Sequence, residues 1–155
     1  MIANIHIQNE DFDLGDEVEA LSGDGTGAVA TFIGLVRGDD GLTALTLEHY
    51  PGMTEREIAR IAQEAQTRWP LSGITIIHRV GRLAVGERIV LVAVGAAHRG
   101  SAFEACQFLM DYLKTRAPFW KKQHRRDGHA GDWVAARDTD DAAARKWTIG
   151  RSPAP

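Results

Sequence analysis

"ERIVLVAVGAAHRGSAFEACQFLMDYLKTRAP", residues 87–118, decides the fold class. Its first half is an apolar strand rich in β-branched residues. In its second half Ala102, Ala105, Cys106, Leu109, Met110 and Leu113 recur at helical spacing, Ser101 and Glu104 make a capping box, and Pro118 stops the helix. A strand that turns directly into an amphipathic helix predicts a mixed domain. Just upstream, "GITIIHRVGRL" (73–83) is a second apolar strand, joined to the first through "AVGE".

Farther upstream, "PGMTEREIARIAQEAQTRWP" (51–70) is the clearest helix. Thr54 and Glu57 form its capping box, Ile58, Ile61, Ala62 and Ala65 its apolar face, and Pro70 its end. "GAVATFIGLV" (27–36) and "LTALTLEHY" (42–50) flank the turn cluster "RGDDG", which predicts a hairpin over 27–50. "IANIHIQ" (2–8) is a short strand, and the acidic stretch 9–27 is a small helix followed by a Gly-rich loop. "GDWVAARD" (131–138) is a last strand and the rest of the tail is loosely held. Strands and helices mix without βαβ alternation. The expected class is α+β, with antiparallel hairpins and two main amphipathic helices, as one domain over 1–150 and a disordered tail over 151–155.

At 155 residues, 44% hydrophobic and 25% charged, the chain is long enough for one core. The net charge of −3 speaks against a cation-coated binder of nucleic acid. Yet six Lys/Arg and no carboxylate fall between Lys114 and Arg126, so the basic charge must act locally. Cys106 is the single cysteine; it excludes an internal disulfide and a Cys-rich metal site, and fits a reducing cytoplasm. On the buried helix face it reads as a small inert apolar residue. The six histidines show no metal-ligand spacing, so neither metal nor cofactor is expected. The N-terminus lacks signal-peptide character and no apolar run has transmembrane length, so a soluble cytoplasmic protein without membrane attachment is expected.

His98 and Arg99 stand immediately before a helix start, where free backbone N–H groups and the helix dipole favour an anion. Lys114 lies in the last turn of that helix, Arg37 at the end of a strand. Each has a plain structural explanation: a solvated turn, a partner for the helix's negative end, a strand terminus. The case for chemistry comes from Arg116, Lys121 and Lys122, because crowded cations lower one another's proton affinity and make a neutral amine accessible. Phe119 and Trp120 fit a core after a helix stop as well as walls for a flat heterocycle. Together Arg37, His98, Arg99, Lys114 and Lys121 describe a site for an anionic ligand that these residues do not name. The competing class is a nucleic-acid module using "KTRAPFWKKQHRR" as a basic aromatic platform, with steep salt dependence.

"LTLEHYPGMTE", "RWPL", "IHRVG", "AHRGSAFEA" and "MDYLKTRAPFWKK", in this order, resemble the large, catalytic subunit family of molybdopterin synthase, over roughly residues 27–137. The resemblance implies an α/β-hammerhead fold and a homodimer within a heterotetramer, with two copies of a small ubiquitin-like sulfur carrier. The implied reaction converts cyclic pyranopterin monophosphate (precursor Z) to molybdopterin by inserting two sulfurs as a dithiolene, donated by the carrier's C-terminal Gly-Gly thiocarboxylate. Lys114 and Lys121 match the family's two functional lysines and His98 and Arg99 its substrate-binding pair. Arg37 and Lys122 are further substrate contacts, with Phe32 and Met110 as pocket walls. The chain departs from many relatives at Leu35, where they carry a lysine. Lys114 lies thirteen residues beyond Ser101, about 20 Å along a helix, farther than a pterin phosphate reaches. The expected site is therefore shared between two protomers. A scaffold that docks a ubiquitin-like tail without catalysis is the remaining alternative.

Overall fold

The computed structural model describes residues 3–39, 41–128, 130–134 and 138–149. In chain order these form β1 (Asn4–Gln8), α1 (Leu14–Leu21), β2 (Ala28–Leu35), β3 (Leu42–His49), α2 (Met53–Arg68) and β4 (Leu71–Arg79). They continue with β5 (Gly81–Ala84), β6 (Arg88–Ala96), α3 (Arg99–Thr115), β7 (Phe119–Arg125), β8 (Ala130–Val134) and α4 (Asp138–Ile149). Two four-stranded sheets result, one ordered β1-β4-β6-β2 and the other β5-β3-β7-β8. Only the β1–β4 pair is parallel among the described pairings, so the α+β expectation holds.

β4 and β6 carry the core of the first sheet. Both are apolar on both faces, so both faces must be covered. On one side Ile74, Ile76, Val90, Val92 and Val94 pack against Ile58, Ile61 and Ala65 of α2 and Ala102, Ala105 and Leu109 of α3. On the other, Ile77, Leu91 and Ala93 pack on Phe12, with Leu14 and Leu21 of α1 beside them. A separate cluster of Val36, Leu45, Leu47 and Leu83 forms where the second sheet begins.

The hairpin expected over 27–50 does not form. β2 pairs with β6 at the edge of the first sheet, whereas β3 pairs with β5 and β7 in the second. Alternation shows that a segment is a strand but carries no information on its partner. The apolar segment 73–83 likewise divides: β4 pairs antiparallel with β6 as expected, but the chain bends at Gly81, with φ of 91°, and β5 joins β3.

Both capping boxes are also displaced. The backbone N–H of Gly52 donates to Glu55 Oε2 at 2.6 Å, so α2 starts a residue before Thr54, which is buried and bonds back to Tyr50. At α3 the N-cap is His98, without a side-chain bond, and Glu104 instead accepts from Trp69 Nε1 at 2.9 Å.

The described segment beyond β8, α4, is not loose, because it packs on α3. Trp147 Nε1 donates to Asp111 Oδ2 at 2.6 Å, and the Trp147 ring meets Phe108 edge-on at 5.5 Å. The disorder expected of 151–155 lies outside the described residues. Phe108 is fully buried among Trp69, Tyr112 and Trp147, with the Arg68 guanidinium 4.6 Å above its ring. Phe108→Ala should therefore cost about 3–5 kcal/mol in a urea titration; a loss under about 1 kcal/mol would mean that this aromatic cluster does not anchor α4.

Candidate active site

The basic run holds a strand that charge had concealed. α3 ends at Thr115, the chain turns through Ala117 and Pro118, and β7 enters the second sheet between β3 and β8. A strand presents successive side chains to opposite faces, so the cations separate. Lys121 shares a face with Phe119 and stands opposite Leu47, while Lys122 lies on the other face with its Nζ 5.7 Å from the Trp133 ring. Trp120 also lies on that outer side, 5.6 Å from Tyr50. Arg116 acts on Glu57 of α2, and Arg125 donates to Gln123 at 3.0 Å. A single basic platform for nucleic acid is not formed by these side chains.

Lys114, in the last turn of α3, and Lys121, one strand repeat beyond Phe119, both act electrostatically on one group, His78. The ring of His78 is stacked on Phe119, with centroids 3.7 Å apart and planes 13° from parallel. Burial above all, then the positive charges of Lys121 and Lys114 and the neighbouring His49, hold its pKa down to about 4, against the pull of its bond to the Arg79 carbonyl. That bond, 2.9 Å from Nδ1 to a carbonyl oxygen that can only accept, puts the proton on Nδ1 and leaves Nε2 as a lone pair. His49 completes the group, its ring 6.4 Å from Phe119 and its buried Nδ1 4.0 Å from Glu55. Neither histidine stood among the sequence candidates. His78 had a signal: it follows Ile74 and Ile76 on one apolar face of β4, an odd place for a titratable side chain.

The remaining candidates lie elsewhere. α3 packs back over β6 and β2, and its seventeen residues span about 25 Å, close to the length of β6. His98 and Arg99 are thus at the far end of α3 from Lys114. Both are exposed and border an open cavity of ≈ 510 Å³ with Gly27, Ala28, Ala97 and Gly100. Gly27 is required there, because a Cβ would lie 2.2 Å from the Ala97 carbonyl oxygen. Arg37 follows β2 at the Lys114 end of the sheet, since Leu35 pairs with Arg88 at the start of β6. It is 71% exposed and ion-paired to Asp39 at 2.5 Å. Phe32 is partly exposed on the edge strand β2, Leu35 is exposed, and Met110 is buried on the inner face of α3. One chain therefore assembles the lysines, and Arg37 at their end, but not His98 and Arg99.

The model of the family described as MoaE protein matches residues 7–116. The chain belongs to the MoaE family. With that family comes its activity, transfer of sulfur in molybdenum cofactor biosynthesis by the catalytic subunit of molybdopterin synthase. A molybdopterin synthase catalytic subunit from Mesorhizobium japonicum is 58% identical over 146 residues, 92% of each chain. The MoaE protein structure from Burkholderia ambifaria is 53% identical with a TM-score of 0.82, covering 95% of this chain and 99% of that one. A Helicobacter pylori structure described as a protein–protein complex of subunits 1 and 2 of molybdopterin-converting factor shares the MoaE fold at 19% identity, with a TM-score of 0.71 and coverage of 86% and 90%.

Cys106, the only cysteine of a sulfur-transferring family member, is buried, and burial pushes its thiol up to about 11, so it is a poor nucleophile.

His78 also makes stability depend on pH. Its folded pKa lies below the ordinary 6.5, so the unfolded chain binds the proton first. The stabilisation is complete above about 6.5 and is lost as pH falls toward 4. Asp11, held at about 2 chiefly by its bond to Arg88, titrates below that window. Unfolding free energies measured across it should fall by on the order of 3 kcal/mol more for the wild type than for His78→Gln. Parallel pH dependence in the two would show that His78 does not titrate this way.

Proposed function

We propose that Lys114 and Lys121 are the reacting pair of this molybdopterin synthase subunit, acting on the thiocarboxylated Gly-Gly terminus of a small ubiquitin-like sulfur carrier as its sulfur passes to the pterin. The observation that carries this reading is the meeting of both lysines at one end of α3, beside a histidine that stays neutral. A neutral lysine amine attacks an acyl carbon or moves a proton, and an ammonium stabilises the charge that develops on the carbonyl oxygen or the departing sulfur. Lys114, exposed in the last turn of α3, takes the first role, and Lys121, half-buried on β7, the second.

The substrate phosphate needs cations of its own. Arg37 lies at the lysine end of its own chain. His98 and Arg99, about 22 Å away along α3, serve the lysines of a second copy. The N-terminus of α3 supports an anion there: its first turn carries no acidic residue, and His98 makes no side-chain cap bond to compete for the N–H groups. The working unit is a homodimer with two carriers, a heterotetramer. Phe32 and Met110 are the walls of the substrate pocket, and Lys122, whose Nζ lies 5.7 Å from the Trp133 ring, is a further cation for the substrate. Among the described residues no helix is long and apolar enough to cross a membrane, and a buried reduced thiol suits the cytoplasm as the compartment.

The test is conversion of the cyclic pyranopterin monophosphate by purified protein and thiocarboxylated carrier, read as the fluorescent oxidation product of molybdopterin. Lys114→Ala should lower turnover by roughly 10²–10⁴-fold, and wild-type turnover would remove this lysine from the chemistry. Dimers mixing a His98→Ala, Arg99→Ala chain with a Lys114→Ala chain should regain one working site. No regained activity would overturn the shared site.

A further inference from the structure

We propose that His78 is a positioning residue for the lysine pair. Stacked on Phe119 and tied through Nδ1 to the Arg79 carbonyl, its ring fixes where β7 leaves α3 and so where Lys121 stands relative to Lys114. The inference rests on the reading of those lysines as the reacting pair.

The ring is held from beneath. His78 is the second-last residue of β4 and shares its face with Ile74 and Ile76, which are fully buried under the helices. The carbonyl it bonds belongs to Arg79, itself buried and anchored by Nε to Asn9 O at 2.9 Å and by Nη1 to Arg88 O at 3.0 Å. The rigid first sheet thus dictates the plane of the imidazole.

The ring in turn holds the joint. Phe119 is the first residue of β7, and its backbone N–H donates to Ala117 O at 2.9 Å, so only a tight turn separates it from the end of α3. Lys121 is two residues on and on the same face, one strand repeat of about 7 Å. Displacement of the Phe119 ring therefore carries over to the lysine. With centroids only 3.7 Å apart the stack has little offset, whereas aromatic pairs prefer an offset or an edge-to-face contact; the Nδ1 bond fixes the imidazole plane against which Phe119 lies.

A charged imidazole would not serve. The groups facing His78 are Lys121 on β7, Lys114 on α3 and His49 on β3, with Glu55 beyond His49. An imidazolium would add a further positive charge beside the lysines, whereas the neutral ring anchors without adding charge.

The experiment is the pterin conversion assay with saturating carrier. His78→Ala should lower kcat by roughly ten- to a hundredfold while KM for the pterin stays within about twofold. His78→Phe keeps a flat ring and should recover most of that loss, with a smaller decline than wild type as pH falls to about 4, where the folded imidazole becomes charged and phenylalanine cannot. Wild-type kcat in His78→Ala would overturn the proposal, as would a Phe variant no better than the Ala variant. If circular dichroism shows that His78→Ala does not fold, Phe119→Leu, which keeps the apolar bulk but not the ring, should show the same kcat loss, and wild-type turnover there would overturn it equally. Lys114→Ala is run alongside: were it fully active, the reading of the lysines would fail and this role of His78 with it, whereas an inactive Lys114→Ala beside a fully active His78→Ala would overturn the role of His78 alone.

Discussion

Burial of β4 and β6 on both faces is the constraint from which the remaining architecture follows. Two such strands side by side cannot meet water on either side, so α2 and α3 must lie on one face and α1 on the other. α3 follows β6 after the shortest of turns and has no course open except back along the strand it has just left. That return carries Lys114 to the end of the sheet where β2 stops and β4 places His78. It leaves His98 and Arg99 at the opposite end.

Charge in this protein is organised by strand geometry rather than by sequence proximity. In the primary structure Lys121 and Lys122 are one basic unit. In the fold one joins Phe119, His78 and Lys114 on the inner face, and the other rests over an exposed tryptophan outside. A net-acidic protein can thus bring positive charge to a single small site without becoming a general polyanion binder.

The two long helices, the apolar strands and the mixed class were legible because each rests on local periodicity. Pairing was not: 27–50 reads as a hairpin because two alternating segments flank a turn cluster, and nothing local reveals that Val36 and Leu45 meet Leu83 instead. β7 was hidden by its own composition, since Lys, Gln, His and Arg say little about strand structure. α4 was missed because its hold on the body depends on Trp147 reaching Phe108 and Asp111, partners far away in sequence. Of the site, the cations were legible as residue types, but which of them meet is a property of the helix length. His78 was visible as an anomaly on an apolar face, and only the stack with Phe119 gives it meaning.

The buried thiol of Cys106 has a bearing on the chemistry of cargo. With a thiocarboxylate as donor, a reactive thiolate of the enzyme's own would attack the acyl carbon, forming a thioester and releasing the sulfur as hydrogen sulfide. With its pKa raised to about 11, roughly one Cys106 in ten thousand is ionised at neutral pH, and that one lies behind the packing of α3 on β6. The protein is in this sense a vessel inert to what it handles: its own cysteine stays outside the traffic in sulfur.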